Sequence, residues 1–292
     1  MPELPEVELV ARYLRGALHG RRITAVRIED PRLTRPVDPR LVERQLTGRR
    51  IEKVSRRGKW IVITLDGPVL LSHLRMTGVY VHPARPSAHR RAVIDLDHGA
   101  ELKWASTLAG ATPTGHGVSV SYEDVRRFGW WGVMEDAAAA AQFLDARLGP
   151  EPLGADWNRR YLGAALIGRR GTIKGLLLDQ AFVAGVGNIY ADEALYRARI
   201  HPRTRGEDLS HGQTKRLAAA VSAVLQAGVI AGGASISDYR RPDGSEGSMQ
   251  NQLDVYGRGG QPCLICGAAL EQDRIAGRVS VWCPTCQPEP DS

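Results

Sequence analysis

The sequence predicts an α+β multidomain protein: an N-terminal β-sandwich with flanking helices, a helical middle region and a C-terminal hairpin that carries paired cysteines. Short apolar strands alternate with turn residues over 22–136, which is typical of an antiparallel sandwich. After a linker rich in glycine and proline at 149–154, apolar residues recur at helical spacing. The 292 residues are enough for two or three domains.

The chain opens with the acidic stretch MPELPEVE. This stretch is not a signal peptide, because such a leader begins basic and then turns apolar. From Pro5 the pattern predicts a helix, since proline is favoured in a first turn, where its missing N–H costs nothing. One apolar face of that helix would carry Val7, Val10, Ala11, Leu14 and Leu18.

Pro2, Glu3 and Glu6 give this helix start a possible chemistry. If Met1 is removed, Pro2 becomes a free secondary amine beside two carboxylates. Such an amine could attack an aldehyde-like carbon to form a Schiff base, and a neighbouring carboxylic acid could protonate the leaving oxygen. The structural alternative is that acidic residues and proline simply favour a helix N-terminus. The eight residues alone leave both interpretations open.

The net charge of +7 indicates a polyanionic partner. Only five of the 39 basic residues are lysine, and arginine is suited to phosphates and guanine edges. A GC-rich genome would also enrich arginine. The longest uncharged stretch, 217–237, contains serines, glycines and a glutamine, so we expect no membrane span and a soluble, cytoplasmic protein.

Three apolar runs, Ile23–Ile28, Trp60–Leu65 and 69–74, predict strands of the sandwich, and one helix, Pro39–Leu46, interrupts them. Two cationic segments stand out. Arg56-Arg57-Gly58-Lys59 precedes a strand and could bind a phosphate, or it is a solvated strand end. Arg126 and Phe128 would share a side if extended, so Phe128 could enter a base stack or instead belong to the core.

Residues 137–148 predict an alanine-rich helix before the linker, and 107–117 and 232–251 are read as loops. The turn 184–188, Ala-Gly-Val-Gly-Asn, has two glycines that allow backbone amides to approach an anion or that serve a tight turn. Helices are predicted on both sides of it, at about 157–167, 174–181, 189–198 and 210–227.

The cysteines form two Cys-x2-Cys pairs, Cys263 with Cys266 and Cys283 with Cys286, separated by 16 residues. This spacing predicts one structural zinc ion bound by four thiolates; redox pairs or disulfides are the alternative. Between the pairs, residues 276–282 alternate around Gly277 and predict a hairpin. Its tip would present Arg278 to a DNA groove or phosphate.

These features together resemble the formamidopyrimidine-DNA glycosylase family, over most of the chain. The motifs that carry the resemblance are PELPEVE at 2–8, RGK at 57–59, HLRMTG at 73–78, RRFG at 126–129, LDQ at 178–180, GVGNIYADEAL at 185–195, VYGR at 255–258 and the cysteine block with Gly277-Arg278.

The resemblance implies a bifunctional enzyme that excises oxidised purines from double-stranded DNA and then nicks the strand. Pro2 would attack C1′ of the damaged nucleotide and Glu3 would protonate the sugar ring oxygen. The other matching positions have these implied roles: Lys59, Asn188 and Arg278 hold phosphates; Met76, Arg126 and Phe128 fill the gap left by the flipped base and read its partner; Glu6 and Lys174 are further active-site residues; Tyr256 contacts DNA.

The family architecture implies a catalytic β-sandwich domain at 1–149, a helix-two-turns-helix domain at 150–234, and a lesion-covering loop with a zinc finger at 235–292, in a monomer. Val125 stands where the family usually has proline, and Ser248-Met249 replaces an aromatic pair. Two alternatives remain: a relative resembling endonuclease VIII that acts on oxidised pyrimidines, and a non-catalytic zinc-dependent DNA-binding protein. Leu4 and the set Met76, Arg126 and Phe128 argue against the former.

Overall fold

The computed structural model describes residues 1–97, 118–235 and 244–290. The chain divides into two compact units. The first comprises Met1–Pro2, Glu6–Leu144 and Ala234–Gly247, and the second comprises Glu3–Pro5, Asp145–Gly233 and Ser248–Ser292. The predicted loop at 107–117 and part of that at 232–251 lie outside the described residues. The domain limits stated above stay predictions.

The first unit contains two antiparallel four-stranded sheets, which confirms the predicted sandwich. The first sheet has the order β1-β6-β7-β5 and the second has the order β2-β3-β4-β8. The strands are β1 Ile23–Ile28, β2 Ile51–Arg57, β3 Trp60–Leu65, β4 Val69–His73, β5 Gly78–Val81, β6 Arg90–Leu96, β7 Val118–Asp124 and β8 Trp130–Met134.

Helix α1, Leu4–Leu18, begins one residue earlier than predicted. Its predicted apolar face is buried, and Val7, Val10, Leu14 and Leu18 belong to the same core cluster as side chains from both sheets. This burial stabilises the helix far more than its propensity does, because a buried aliphatic side chain contributes about 1.5–3 kcal/mol. The helix therefore becomes part of the sandwich core.

Two further helices flank the sandwich. Helix α2, Pro39–Leu46, has the predicted bounds, and the side chain of Asp38 caps its start by accepting from Arg40 N. Helix α3, Ala137–Asp145, ends three residues before the predicted limit at 148. Only Ala140 and Leu144 of α3 are buried, so its alanine content rather than a wide apolar face favours the helix.

The second unit is helical, as predicted. Its helices are α4 Arg159–Leu166, α5 Ile173–Leu178, α6 Asn188–Ala198 and α7 His211–Ile230. The side chains of Asn158, Thr172 and Ser210 cap α4, α5 and α7. In contrast, α6 follows Gly187 and has no side-chain cap from its own N-cap residue. Its first N–H groups are therefore open to another partner.

The unit ends in the predicted hairpin, formed by β9, Glu271–Ile275, and β10, Arg278–Trp282. Ala276 and Gly277 form the turn with positive φ angles of 49° and 74°. The predicted loop at 232–251 differs in part, because Met249 starts a short 3-10 helix and is fully buried. Among the described residues, no helix is long and apolar enough to cross a membrane.

Candidate active site

The carboxylate of Glu3 is held at the N-terminus of α6. It accepts hydrogen bonds from three backbone N–H groups, those of Gly187 at 2.7 Å, Ile189 at 2.9 Å and Tyr190 at 3.4 Å. The residue is 2% exposed. A helix N-terminus offers unpaired N–H groups and the positive end of the helix dipole, so it favours a negative group there. Both oxygens of Glu3 are therefore fixed in one orientation.

The two glycines of the turn before α6 make this contact possible in different ways. Gly185 has a φ of +87° and its carbonyl accepts from Leu4 N at 3.0 Å. A Cβ on Gly187 would lie 2.6 Å from Glu3 Oε1, which is too close for any side chain. Both sequence interpretations of these glycines thus hold: Gly185 allows a tight turn, and Gly187 allows an anion to approach the backbone. The anion is the protein's own carboxylate.

In the first unit, Pro2 and Glu6 are buried, whereas Met1 is 48% exposed. One oxygen of Glu6 accepts a hydrogen bond from Ala234 N at 2.8 Å. Residue 234 begins the segment that leads to the predicted lesion-covering loop. Glu6 therefore anchors the start of that segment by its backbone.

Lys59 lies in the turn between β2 and β3, after Gly58 with a φ of 57°. Its side chain is 4% exposed. Of the other cations in this cluster, Arg56 is internal: it pairs with Glu8 at 3.0 Å and donates to the Gly58 carbonyl at 2.9 Å. Arg56 therefore shapes the turn, and Lys59 is the cation whose position the turn fixes.

Met76, Arg126 and Phe128 lie in two loops of the first unit. Phe128 is 53% exposed, which rejects the core alternative. The guanidinium of Arg126 lies over its ring, 4.9 Å from the centroid. The segment is not extended, because Arg127 has a φ of 60°, so the condition under which the spacing would place the two side chains on one side is not met. The side chains of Arg126 and Phe128 are brought together by the left-handed backbone at Arg127 instead.

In the second unit, Lys174 forms a fully buried ion pair with Asp192 at 2.6 Å. Its Nζ also donates to the carbonyl of Val279 at 3.2 Å. Asn188 donates to the same carbonyl at 2.9 Å, and Asp192 accepts from Val281 N at 3.3 Å. Both predicted site residues therefore hold strand β10 immediately after Arg278, whose side chain is exposed at the hairpin tip.

Tyr256 is positioned by a buried carboxylate that the sequence interpretation did not assign. Glu193 on α6 accepts hydrogen bonds from the consecutive N–H groups of Asp254, Val255 and Tyr256, each at 2.9 Å. Asp192 beside it holds Lys174. The signal was two adjacent acids inside the apolar stretch 189–195, because acids in a buried helix need partners.

The four cysteines converge at one point of the second unit. Their sulfur atoms all lie within 4.8 Å of one another, with Cys263 3.9 Å from Cys286 and Cys266 3.4 Å from Cys283. A tetrahedral site with Zn–S bonds of about 2.3 Å separates its sulfurs by about 3.8 Å. None of the four is in a disulfide. They therefore form the predicted site for one structural zinc ion.

Comparison with known proteins agrees with this organisation. Three family models match the chain: the formamidopyrimidine-DNA glycosylase N-terminal domain over residues 1–131, the H2TH domain of the same glycosylase over 148–240, and the zinc finger found in FPG and IleRS over 260–288. The chain belongs to the formamidopyrimidine-DNA glycosylase family. The resemblance, the helix-two-turns-helix region and the zinc finger predicted from the sequence are thereby confirmed.

Relatives of known identity match over nearly their whole length. The formamidopyrimidine-DNA glycosylase of Heliobacterium modesticaldum is 42% identical over 98% of this chain and 100% of that protein. A Lactococcus lactis FPG variant in complex with Fapy-dG DNA is 34% identical, with a TM-score of 0.87 over 99% of this chain and 100% of that one. The wild-type Lactococcus lactis FPG with oxidised-pyrimidine DNA covers the same shares at 34% identity and a TM-score of 0.85.

In this glycosylase family member, we expect zinc removal by a chelator to weaken DNA binding, because the hairpin that carries Arg278 depends on the metal for its fold.

Arg278→Ala should weaken DNA binding with the metal retained, and should reduce the slope of log affinity against log salt by about 0.9, the value of one phosphate contact. Fluorescence anisotropy at several salt concentrations measures both effects. Arg278→Lys keeps the charge and should keep the slope. An unchanged slope in Arg278→Ala would refute the phosphate contact.

His73, in the motif HLRMTG, gives the first unit a dependence on pH. Burial, and then the charges of Arg75 and Lys59, lower its pKa from 6.5 to about 3. Its neutral Nδ1 accepts from Arg75 N at 3.0 Å. Because the unfolded chain takes up this proton below about pH 6.5 and the folded chain only near pH 3, the free energy of unfolding should fall as the pH decreases between these values.

Chemical denaturation at several pH values measures this dependence. His73→Asn keeps an acceptor near Arg75 N and does not titrate, so its stability should fall less steeply with acid. The slope should not vanish, because burial also lowers the pKa values of His82 and His201. Equal slopes for the variant and the wild type would contradict the assignment.

Proposed function

We propose that this protein excises oxidised purines, chiefly 8-oxoguanine and formamidopyrimidines, from double-stranded DNA and then nicks the strand as an abasic-site lyase. The observation that carries the proposal is the carboxylate of Glu3, which follows Pro2 directly and is fixed by three N–H groups of the α6 N-terminus. Membership of a DNA glycosylase family and the fixed Glu3 carboxylate next to Pro2 in sequence both support base excision through a Schiff base.

The reaction begins once Met1 has been removed. The neutral amine of Pro2 attacks C1′ of the flipped nucleotide while the Glu3 carboxylate accepts the amine proton. The bond from C1′ to the base breaks, and the base leaves with the electron pair and takes a proton from solvent. Glu3 then gives its proton to the ring oxygen, the C1′–O4′ bond breaks, and an iminium forms. Proton transfer by a positioned group of this kind contributes about 10²- to 10⁴-fold. Successive β- and δ-elimination release both phosphates.

The remaining site residues are assigned to holding the DNA. Lys59, Asn188 and Arg278 bind phosphates near the lesion, and Tyr256 is a further contact. Met76, Arg126 and Phe128 occupy the gap left by the flipped base, which offsets an unstacking cost of a few kcal/mol. Within this set, Arg126 reads the partner base. The exposed ring of Phe128 under the Arg126 guanidinium supports this assignment.

Lys174 receives a different role from its neighbours. Because its side chain is fully buried against Asp192 and the Val279 carbonyl, we infer that it acts on DNA through the hairpin rather than by direct contact. Glu6 similarly acts through the backbone of Ala234. Both are positioning residues for elements that meet the substrate.

Competing substrates test the proposal. Duplexes with 8-oxoguanine or with thymine glycol are incubated with the protein, and excision is measured with and without borohydride, which traps the Schiff base. We expect faster excision of 8-oxoguanine and a trapped adduct. Preferential excision of thymine glycol would support the alternative of an enzyme similar to endonuclease VIII, to which the oxidised-pyrimidine DNA bound by Lactococcus lactis FPG gives some weight. No adduct with either DNA would leave a non-catalytic DNA-binding protein.

We further propose that the protein acts as a monomer in the bacterial cytoplasm, where chromosomal DNA is accessible. A single chain carries every role named above, and the relative from Heliobacterium modesticaldum is bacterial. Sedimentation of the protein on a short lesion duplex distinguishes a 1:1 complex from a complex with two chains.

A further inference from the structure

The carboxylate of Asp124 connects the two loops that carry Met76, Arg126 and Phe128. Asp124 is the last residue of β7 and is 1% exposed. Its Oδ2 accepts from Gly129 N at 2.7 Å, and its Oδ1 accepts from Arg126 N at 3.2 Å. One buried side chain thus binds both ends of the segment that presents Arg126 and Phe128.

The same Oδ1 accepts a hydrogen bond from the hydroxyl of Thr77 at 2.5 Å. Thr77 follows Met76 in the other loop. Its Oγ1 in turn accepts from Arg126 N at 3.1 Å. The backbone nitrogen of Arg126 is therefore shared between a carboxylate of its own loop and a hydroxyl of the Met76 loop. This arrangement links the two loops at the residue assigned to read the partner base.

The phenol of Tyr122 lies close to the backbone of the same two loops. A Cβ added to Gly78 or to Gly129 would collide with its phenol, so each loop has a glycine where it passes over the ring. The ring is fully buried and packs against Tyr80 and Trp131 in the sandwich core. Both loops therefore pack against the buried ring of Tyr122, and this ring limits how far either loop can move toward the core.

The reversed backbone at Arg127 is held from the opposite side. Arg127 has a φ of 60°, a left-handed backbone conformation that is unfavourable for a residue with a side chain. The Arg127 guanidinium lies 3.8 Å from the carboxylate of Asp30, which Arg32 binds in a bidentate manner. The hydrogen bond from Arg32 lowers the pKa of Asp30 despite its partial burial, so this carboxylate is ionised at neutral pH.

We infer that Thr77 and Asp124 are positioning residues that make the Met76 loop and the Arg126–Phe128 loop one element, and that this link sets how strictly Arg126 discriminates between bases opposite the lesion. The inference rests on the proposed function, in which Arg126 reads the partner base. Thr77 makes the link specific, because its hydroxyl, in the Met76 loop, donates to Asp124 and accepts from Arg126 N.

The chemistry of the opposite base explains why position matters. A guanidinium offers only donors. The Watson–Crick edge of cytosine presents two adjacent acceptors, whereas that of adenine presents one acceptor beside a donor. A well-placed guanidinium therefore donates two hydrogen bonds to cytosine. On adenine, one of its N–H groups faces another donor. Misplacement by about 1 Å can cost up to about 10²-fold in a positioned reaction, so a loosened Arg126 loses the advantage for cytosine first.

The test is the ratio of single-turnover excision rates for 8-oxoguanine opposite cytosine and opposite adenine. Thr77→Val keeps the shape of the side chain and removes the hydroxyl. We expect this variant to lower the ratio by about five- to tenfold, the worth of about one hydrogen bond. Thr77→Ser restores the hydroxyl and should restore the ratio. Ser87→Ala removes another hydroxyl–carboxylate bond of this unit, to Glu123 at 2.7 Å, and should leave the ratio as in the wild type.

The ratio separates positioning from simple loss of folded protein. If Thr77→Val only lowers the fraction of folded protein, both rates fall together and the ratio stays constant, which overturns the inference. Failure of Thr77→Ser to restore the ratio also overturns it. If the wild type yields no adduct with either duplex, the proposed function falls and the inference with it, whereas an unchanged ratio in an active Thr77→Val protein overturns the inference alone.

Discussion

A protein in which the nitrogen of Pro2 is acylated should form at least about 10³-fold less borohydride-trapped adduct with abasic DNA than the processed wild type, as loss of a catalytic nucleophile usually costs this much or more. The reason is electronic. An amide nitrogen shares its lone pair with the carbonyl and cannot attack C1′, whereas the free secondary amine can. Inserting one glycine between Met1 and Pro2 achieves this acylation without changing any other residue.

The control for this experiment is the mass of the N-terminal peptide, which shows whether Met1 is present in each preparation. DNA affinity for a non-reactive abasic analogue should remain, because the insertion leaves the phosphate-binding residues in place. An adduct that persists in the inserted variant would point to another amine, either that of the new N-terminal residue or that of a lysine. Lys59 is the lysine to test by substitution, because it is the lysine assigned to direct contact with the DNA.

Glu3→Gln should reduce base excision by about 10²- to 10⁴-fold, the usual contribution of a general acid or base. The substitution keeps the size of the side chain but replaces one carboxylate oxygen by a donor. That donor would face the backbone N–H groups of Gly187, Ile189 or Tyr190, which are donors as well. The variant loses both the proton transfer and the fixed orientation.

Two comparisons make this prediction specific. Trapping on a preformed abasic site should decrease less than excision, because its aldehyde form needs no protonation of the sugar ring oxygen. Gly187→Ala leaves Glu3 chemically intact but places a Cβ against its carboxyl group, and it should reproduce most of the loss of excision. Full excision by Gly187→Ala would show that the contact with α6 has no part in the reaction.

Local sequence patterns predict much of the architecture. The apolar periodicity of α1, the alternation in β1 and the cysteine spacing each reflect chemistry within a few neighbouring residues, and each element is present in the structure. The boundaries shift by one to a few residues, as at the end of α3, because helix ends depend on contacts outside the helix.

Contacts between residues far apart in the sequence could not be predicted from local patterns. The pattern suggested an anion at the glycine turn before α6, but the anion is Glu3, 184 residues away. Spacing placed Arg126 and Phe128 together, although through a strand geometry that the positive φ of Arg127 rules out. The resemblance implied an active-site role for Lys174 but not its burial, which follows from Asp192 on a different helix. Each difference comes from a partner that the local pattern does not contain.

The hydrogen bonds from α6 to Glu3 also set the order in which the protein becomes competent during synthesis. Residues 187–190 are made long after the N-terminus has left the ribosome, so Glu3 has no fixed orientation while the first unit alone is available. A contact of such sequence separation forms late in folding, because closing the long loop costs entropy before the contact repays it. Under the proposed mechanism, a nascent or prematurely terminated chain therefore carries the Pro2 amine without an oriented Glu3 carboxylate, and we expect reactivity only when the second unit has folded.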